Sequence, residues 1–155
     1  MKKIKFIIIS IFILSLSNFA KADLIKPNSG IEPIQVVKIQ LRGLKNNDQL
    51  YQDGGIEQTW EFAHPNNRKM TGPLDRFKNM IKTDSYSMLL NHKEHEIKQV
   101  YNSGEVATFE VTILSSGKKY YKFKWQVEKY NLEGSLKNCW LTTAVSQPIP
   151  MGSSI

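Results

Sequence analysis

The chain has 155 residues, of which 41% are hydrophobic and 23% are charged, and its 21 Lys and Arg outnumber 14 Asp and Glu to give a net charge of +7. Cys139 is the only cysteine, which excludes an intrachain disulfide, so packing must stabilise the fold. The length suits one domain that buries its own core.

The first 22 residues have the features of a secretion signal. A basic start with three lysines precedes an apolar run over residues 6–19, and Ala20-Lys21-Ala22 provides a small-x-small cleavage site. The apolar run is shorter than the roughly 20 residues that a membrane span needs. We therefore expect a mature chain that begins at Asp23, is periplasmic or extracellular, and is not inserted stably in a membrane.

Removal of this signal changes the charge balance. It takes away four lysines and no acid, which leaves 17 basic and 14 acidic side chains and a net charge of +3. The remaining lysines alternate with glutamates and form no basic stripe, which argues against a nucleic-acid partner. Residues 118–125 are both basic and aromatic and could stack on single strands or sugars. Strict alternation favours a strand with Tyr121, Phe123 and Trp125 on its buried face.

The first part of the mature chain is predicted to be helical. Residues 23–30 are expected to form a flexible leading segment. Apolar residues at spacings of three and four then predict a first helix that starts at Pro33 and ends near Asn46. A second short helix is predicted over residues 56–63, and a third is predicted to begin at Pro73.

From Tyr86 onward the hydrophobic period changes to two, which predicts an antiparallel meander. The predicted strands cover residues 86–90, 97–101, 107–113, 118–129 and 136–146. The tail over residues 147–155 contains Pro, Gly and Ser and is predicted to be disordered. Three N-terminal helices on a curved antiparallel sheet give a single two-layer α+β domain over residues 31–146.

Short stretches spread over most of the mature chain resemble one protein family. They are Val36-Val37, Gln40-Leu41, Leu44-Lys45-Asn46-Asn47-Asp48, Gly55-Ile56, Phe62-Ala63, Pro65, Asn67-Arg68, Thr71-Gly72-Pro73-Leu74, Arg76-Phe77, Tyr86, Met88-Leu89-Leu90-Asn91-His92 and Cys139-Trp140-Leu141-Thr142. They look like the domain of unknown function 4864. The resemblance implies the cone-shaped α+β roll of the nuclear transport factor 2-like superfamily and no established activity. Members of this superfamily include small isomerases and dehydratases with an internal cavity, and also binding and dimerisation modules.

Three residues are candidates for acid–base catalysis in such a cavity. An enzyme of this kind needs a His or carboxylate and a Tyr in an apolar site. His64 lies at the end of the second predicted helix, while His92 and Tyr86 share a face of the first predicted strand. Sequence spacing brings these residues to no common site, so a structural role for each is the favoured interpretation.

No metal site or cofactor is predicted. Alternation would place His92 and His95 on opposite faces, and the spacing supplies no third ligand. Cys139 lies among apolar residues and is interpreted as a small buried hydrophobic residue rather than a nucleophile.

Candidate binding residues are Trp60, Phe77 and Trp125 as cavity walls and Arg68 in the connection over residues 67–73. That connection ends in backbone N–H groups at a helix start, which can hold an anion. The favoured alternative is a capped loop whose arginine neutralises a carboxylate.

Two functional hypotheses follow. The favoured one is an exported, non-enzymatic module that binds an unknown small ligand or a protein partner, with a homodimer through the outer face of the sheet as one form. The alternative is a small cavity enzyme that acts on an apolar substrate, with His92 or His64 as the base and Tyr86 as the donor.

Overall fold

The computed structural model describes residues 23–154, so the predicted secretion signal lies outside the described residues. The helices of this part are α1 (Pro33–Lys45), α2 (Gly54–Glu61), α3 (Pro65–Thr71) and α4 (Leu74–Ile81), followed by a 3₁₀ turn (Ser87–Leu89). The strands are β1 (Glu94–Asn102), β2 (Val106–Leu114), β3 (Lys119–Lys129), β4 (Trp140–Val145) and β5 (Ile149–Ser153). The predicted α+β class is confirmed.

The strands form one antiparallel sheet in the order β1-β2-β3-β4, and β5 pairs with the first part of β3. The register places Phe109 opposite Trp125 and Val111 opposite Phe123, so large apolar side chains line one face. These side chains are buried against the helices. The two-residue period of β2 and β3 therefore creates the inner face of a two-layer domain.

Helix α1, with 13 residues, is the longest helix of the described chain. Pro33 occupies its first turn, where the missing N–H costs no hydrogen bond. Val36, Val37, Leu41 and Leu44 are fully buried on the side that faces the core. The helix ends where the Asn91 backbone N–H donates to the Leu44 carbonyl at 2.9 Å.

Helix α3 replaces most of the loop predicted between the second and third helices. Pro65 occupies its first turn, and the His64 ring nitrogen Nδ1 accepts a hydrogen bond from the Asn66 N–H at 3.0 Å. These two contacts start a helix that the sequence analysis leaves as a connection, because His is an uncommon N-cap residue. The described residues thus contain four α-helices rather than three.

The strand predicted over residues 86–90 is wrong. The Tyr86 and Ser87 N–H groups both donate back to the Thr83 carbonyl, at 3.0 and 2.8 Å, so the chain turns tightly after α4. A 3₁₀ turn follows and buries Leu89, which the alternating pattern had assigned to the opposite face. Tyr86 and His92 therefore do not share a strand face.

The two ends of the described chain are attached to the domain. The Ile25 backbone exchanges two hydrogen bonds with the Gln58 side chain, at 2.8 and 2.9 Å, within the segment predicted to be flexible. The tail predicted to be disordered contains β5, which pairs with β3 along an edge. Pro150 is compatible with this strand because an edge strand and a bulge tolerate a missing N–H.

A close approach of backbones fixes how α1 and α2 cross. A Cβ atom added to Gly55 would lie 1.9 Å from the Gly43 carbonyl oxygen and 2.8 Å from the Asn47 Cα. Both neighbours are backbone atoms, so no side chain can move aside. The Asn47 side-chain oxygen also accepts from the Ile56 N–H at 3.0 Å, which adds a hydrogen bond at this crossing.

We expect Gly55→Ala to lower the free energy of unfolding by an amount near or above the upper end of the usual overpacking range of about 1–3 kcal/mol. Gly117→Ala is the matched control, because its added Cβ would meet only the Ser115 hydroxyl oxygen, at 3.8 Å. Urea denaturation followed by circular dichroism measures both variants. Equal stability of the two variants would contradict the close approach.

Candidate functional site

A cavity of about 100 Å³ lies between the helices and the inner face of the sheet. One wall is apolar and is formed by Leu44, Phe77, Met80, Ile81 and Leu89. The opposite end is polar and is formed by Gln40, Thr59, Trp125 and Thr142. The half-buried residues Asn67, Thr71, Tyr86 and Val145 also line the cavity and lie nearest to solvent.

Gln40 organises the polar end of the cavity. Its side-chain oxygen accepts hydrogen bonds from the Thr142 hydroxyl at 2.6 Å and from the Trp125 indole N–H at 3.0 Å. Its amide nitrogen donates to the Thr59 carbonyl at 3.0 Å. Gln40 is 1% exposed, so these bonds replace all contact with water. One amide thus joins α1 to α2, β3 and β4.

Tyr86 is the only titratable side chain that lines the cavity among the described residues. Its hydroxyl lies 3.4 Å from both the Val145 carbonyl oxygen and the Gln147 side-chain nitrogen, the long limit of a hydrogen bond. Burial raises the pKa of Tyr86, so the phenol stays protonated at neutral pH. It can therefore donate a hydrogen bond to a bound molecule.

His64 lies outside the cavity lining. Its ring caps α3 and packs edge-on against Tyr130, with ring centroids 5.5 Å apart. Burial lowers its pKa. His64, a catalytic candidate from the sequence, therefore acts as the N-cap residue of α3.

His92 and His95 form a hydrogen-bonded pair, and their predicted placement on opposite faces is wrong. Strand β1 begins at Glu94, so His92 lies in the preceding turn, where the two-residue period does not apply. His92 Nδ1 is 2.7 Å from the Leu89 carbonyl oxygen, and its Nε2 is 2.7 Å from His95 Nδ1. Because a carbonyl only accepts, His92 carries its proton on Nδ1 and accepts from His95.

The buried position of His92 suppresses its charge. The side chain is 2% exposed. Burial, with smaller contributions from His95 and Lys45, lowers its pKa to about 4 although the hydrogen bond to the Leu89 carbonyl acts in the opposite direction. The cavity lining does not include it. Of the three catalytic candidates, only Tyr86 reaches the cavity, so the structure does not bring the three together.

The four candidate binding residues divide into two pairs. Phe77 and Trp125 line the cavity, whereas Trp60 and Arg68 do not. Trp60 packs against Phe77 with ring centroids 4.9 Å apart, and the Arg68 guanidinium lies 5.1 Å from the Trp60 ring centroid. Arg68 Nη2 donates to the Trp60 and Glu61 carbonyls at 2.7 and 3.0 Å, so this arginine caps the end of α2.

Cys139 is 1% exposed, and burial raises the pKa of its thiol, the opposite of what a nucleophilic cysteine needs. Within residues 23–154, no three His, Cys, Asp or Glu side chains lie close enough together to hold a metal ion.

Sequence reasoning missed Gln40, Thr59 and Thr142. The sequence did contain one indication of this network. Gln40 follows the helical spacing of the buried residues Val37 and Leu44, which places a polar side chain on the core face of α1. A buried amide requires partners, but the sequence does not say which.

Comparisons with known proteins assign nothing to this chain. No family model matches it, and no curated protein and no solved structure matches it. Among the described residues, no helix has the length and apolar character needed to cross a membrane.

We expect Gln40→Met to lower the free energy of unfolding by about 2–4 kcal/mol, because three buried hydrogen bonds to the Gln40 amide are lost. The bonds that remain to the Trp125 N–H and the Thr59 carbonyl are long, at 3.4 and 3.3 Å. The shape of the side chain is nearly conserved, so packing changes little. Gln35→Met on the exposed side of α1 is the control and should change stability by less than about 0.5 kcal/mol. A Gln40 variant as stable as the control would show that the network contributes little.

We expect the protein to lose stability as the pH falls from 7 to 5. Unfolded His92 takes up a proton near pH 6.5, whereas the folded state keeps it neutral until about pH 4, so protons favour the unfolded state in this window. The loss from this residue is roughly 2 kcal/mol. Denaturation at both pH values, with His92→Phe for comparison, measures it. An imidazole NMR titration of His92 near pH 6.5 would contradict the assignment.

Proposed function

We propose that this protein is an exported, non-enzymatic module that binds a small neutral ligand in the cavity between its helices and sheet. The observation that carries the proposal is the cavity lining, which combines an apolar wall with the buried hydrogen bonds of Gln40 and includes no charged side chain among the described residues. A charged ligand would lose its hydration without an ionic partner, which is costly.

The size of the cavity limits the ligand. A cavity of roughly 150 Å³ accommodates benzene, so a space of about 100 Å³ suits a molecule no larger than a short alcohol, ketone or small ring. Its apolar part would contact Leu89 and Phe77, and its oxygen would accept from the Tyr86 hydroxyl. The hydrogen bonds that the Tyr86 hydroxyl makes within the protein are both long, at 3.4 Å, so a ligand can replace them at little cost.

The family proposal rests on the same architecture. We propose that the chain belongs to the domain of unknown function 4864 family and that its domain is a nuclear transport factor 2-like roll. Two observations support this: the helices precede the antiparallel sheet, and they pack on one face of it with a cavity between the layers. Export rests on the signal-like features of residues 1–22.

An enzyme that uses acid–base chemistry is the less supported alternative. Tyr86 could act as a donor, but no histidine or carboxylate in the described chain lines the cavity beside it. His64 and His92 bond to the backbone elsewhere. A proton-transfer step would need a base within hydrogen-bond reach of the substrate.

The outer face of the sheet supports a monomer rather than a homodimer. Glu110 and Lys122 form an ion pair at 2.9 Å, and Gln126 donates to the Thr143 hydroxyl at 3.2 Å. These polar groups already have partners within the domain. A stable dimer would have to bury a standard interface over them.

Acetone, a ketone smaller than benzene, is a suitable probe for the cavity. We expect saturable shifts of the Leu89, Thr142 and Val145 amide signals, with a dissociation constant of about millimolar order for so small a ligand. Ala63 is buried and also lines the cavity, so Ala63→Leu fills the space and should abolish these shifts. Ala144→Leu adds the same atoms at an exposed position of β4 and should not. Circular dichroism verifies that both variants fold, and Ala63→Val is the milder substitute.

The same samples separate binding from catalysis. In deuterated water, an acid–base enzyme would exchange the hydrogens beside the carbonyl of the bound ketone faster than buffer does. The proposal expects no acceleration. Absence of saturable shifts, or shifts that persist in Ala63→Leu, would overturn the cavity as the binding site.

A further inference from the structure

A groove of about 750 Å³ runs between α1 and β1, on the opposite side of α1 from the cavity. Helix α1 contributes Ile34, Lys38, Arg42 and Lys45, its C-cap residue is Asn46, and the strand contributes His95 and Ile97. The groove belongs to none of the sites described above.

The cations of this groove form one continuous ridge. Lys38, Arg42 and Lys45 are spaced by four and three residues, so they lie on one face of α1. Within residues 23–154, no carboxylate forms an ion pair with any of the three. Arg42 and Lys45 lie in the last turn, where the helix dipole favours positive charge and offsets part of their repulsion.

His95 is held in place on the other side of the groove. Its Nδ1 donates to His92 Nε2, and His92 is in turn fixed by the Leu89 carbonyl. Nε2 is therefore the ring nitrogen of His95 that takes no part in the hydrogen bond to His92. His95 itself lines the groove, so protonation of Nε2 would add a donor to it.

The groove also has an apolar component. Ile34 and Ile97 line it, and both are only partly buried in the core. A ligand that carries an oxyanion and a short hydrocarbon part would match both kinds of surface. A purely inorganic anion would use only the cations.

We propose that this groove binds a small organic anion, a carboxylate or a phosphate on a short apolar stem, through Lys38, Arg42, Lys45 and the Nε2 atom of His95. The anionic group lies among the cations, and the stem packs against Ile34 and Ile97. Arginine supplies paired N–H donors suited to either oxyanion.

Binding should strengthen as the pH falls. Burial lowers the pKa of His95, and the positive charges of Lys45 and Arg42 lower it further. The groups that face His95 are these two cations and Lys38 from α1, and His92 from the preceding turn, while its partner on β2 is the uncharged Ile113. A bound anion offsets those positive charges, so it favours protonation of His95, and by linkage protonation favours the anion.

Butanoate and butyl phosphate are the probes, with inorganic phosphate for the head group alone. We expect saturable amide shifts at Lys38, Arg42 and Ile97, and a several-fold weaker effect of inorganic phosphate. The double variant Arg42→Gln/Lys45→Gln should weaken binding by about tenfold. Lys124→Gln removes an exposed lysine from the outer face of the sheet and should leave the affinity unchanged.

Butanoate remains ionised between pH 6 and pH 8, so a change in its affinity over this range reports the protein. We expect tighter binding at pH 6 in the native protein and no pH dependence in His95→Gln. Ala63→Leu should retain binding, which separates this site from the cavity. Equal loss in Lys124→Gln, equal affinity for inorganic phosphate and butyl phosphate, or no saturable shift at α1 would overturn the proposal.

Discussion

The fold depends on one buried amide. Gln40 projects from the core face of α1 and bonds to a carbonyl of α2, the indole of β3 and a hydroxyl of β4. Apolar packing alone would let these elements slide, whereas three directional bonds fix their relative positions. The amide also stands at the edge of the cavity, so the polar end of that space is already satisfied before any ligand arrives.

Helix α1 separates two different chemical environments. Its inner face carries the apolar residues and Gln40, and its outer face carries Lys38, Arg42 and Lys45. No charged side chain of residues 23–154 lines the inner environment, whereas the outer one places three cations beside the fixed His95 imidazole. The two sites that we propose, one for a neutral molecule and one for an anion, therefore lie on opposite faces of α1 and share no lining residue.

Hydrophobic periodicity predicted the helices and strands in which buried residues recur at regular intervals. Helix α1 and strands β2 and β3 were found because their buried residues recur every three to four or every two positions. The structure of residues 86–92 was not predicted, because two hydrogen bonds back to the Thr83 carbonyl and the burial of Leu89 override the local alternation of apolar residues. Of the three side chains proposed as cavity walls, Phe77 and Trp125 line the cavity and Trp60 does not. The hydrogen bonds from Gln40 to Thr59 and Thr142 span 19 and 102 positions and leave no local signal. The histidine pair was missed because β1 begins after His92.

The claim that an open cavity lies between the helices and the sheet is tested most directly by a crystal structure of the protein determined under xenon pressure. Xenon is apolar, fits a space of this size and is visible in anomalous scattering. We expect a xenon atom between Leu89, Phe77 and Trp125, with the Gln40 hydrogen bonds unchanged. A space closed by Phe77, Met80 or Tyr86, with no xenon inside it, would contradict the existence of a ligand cavity.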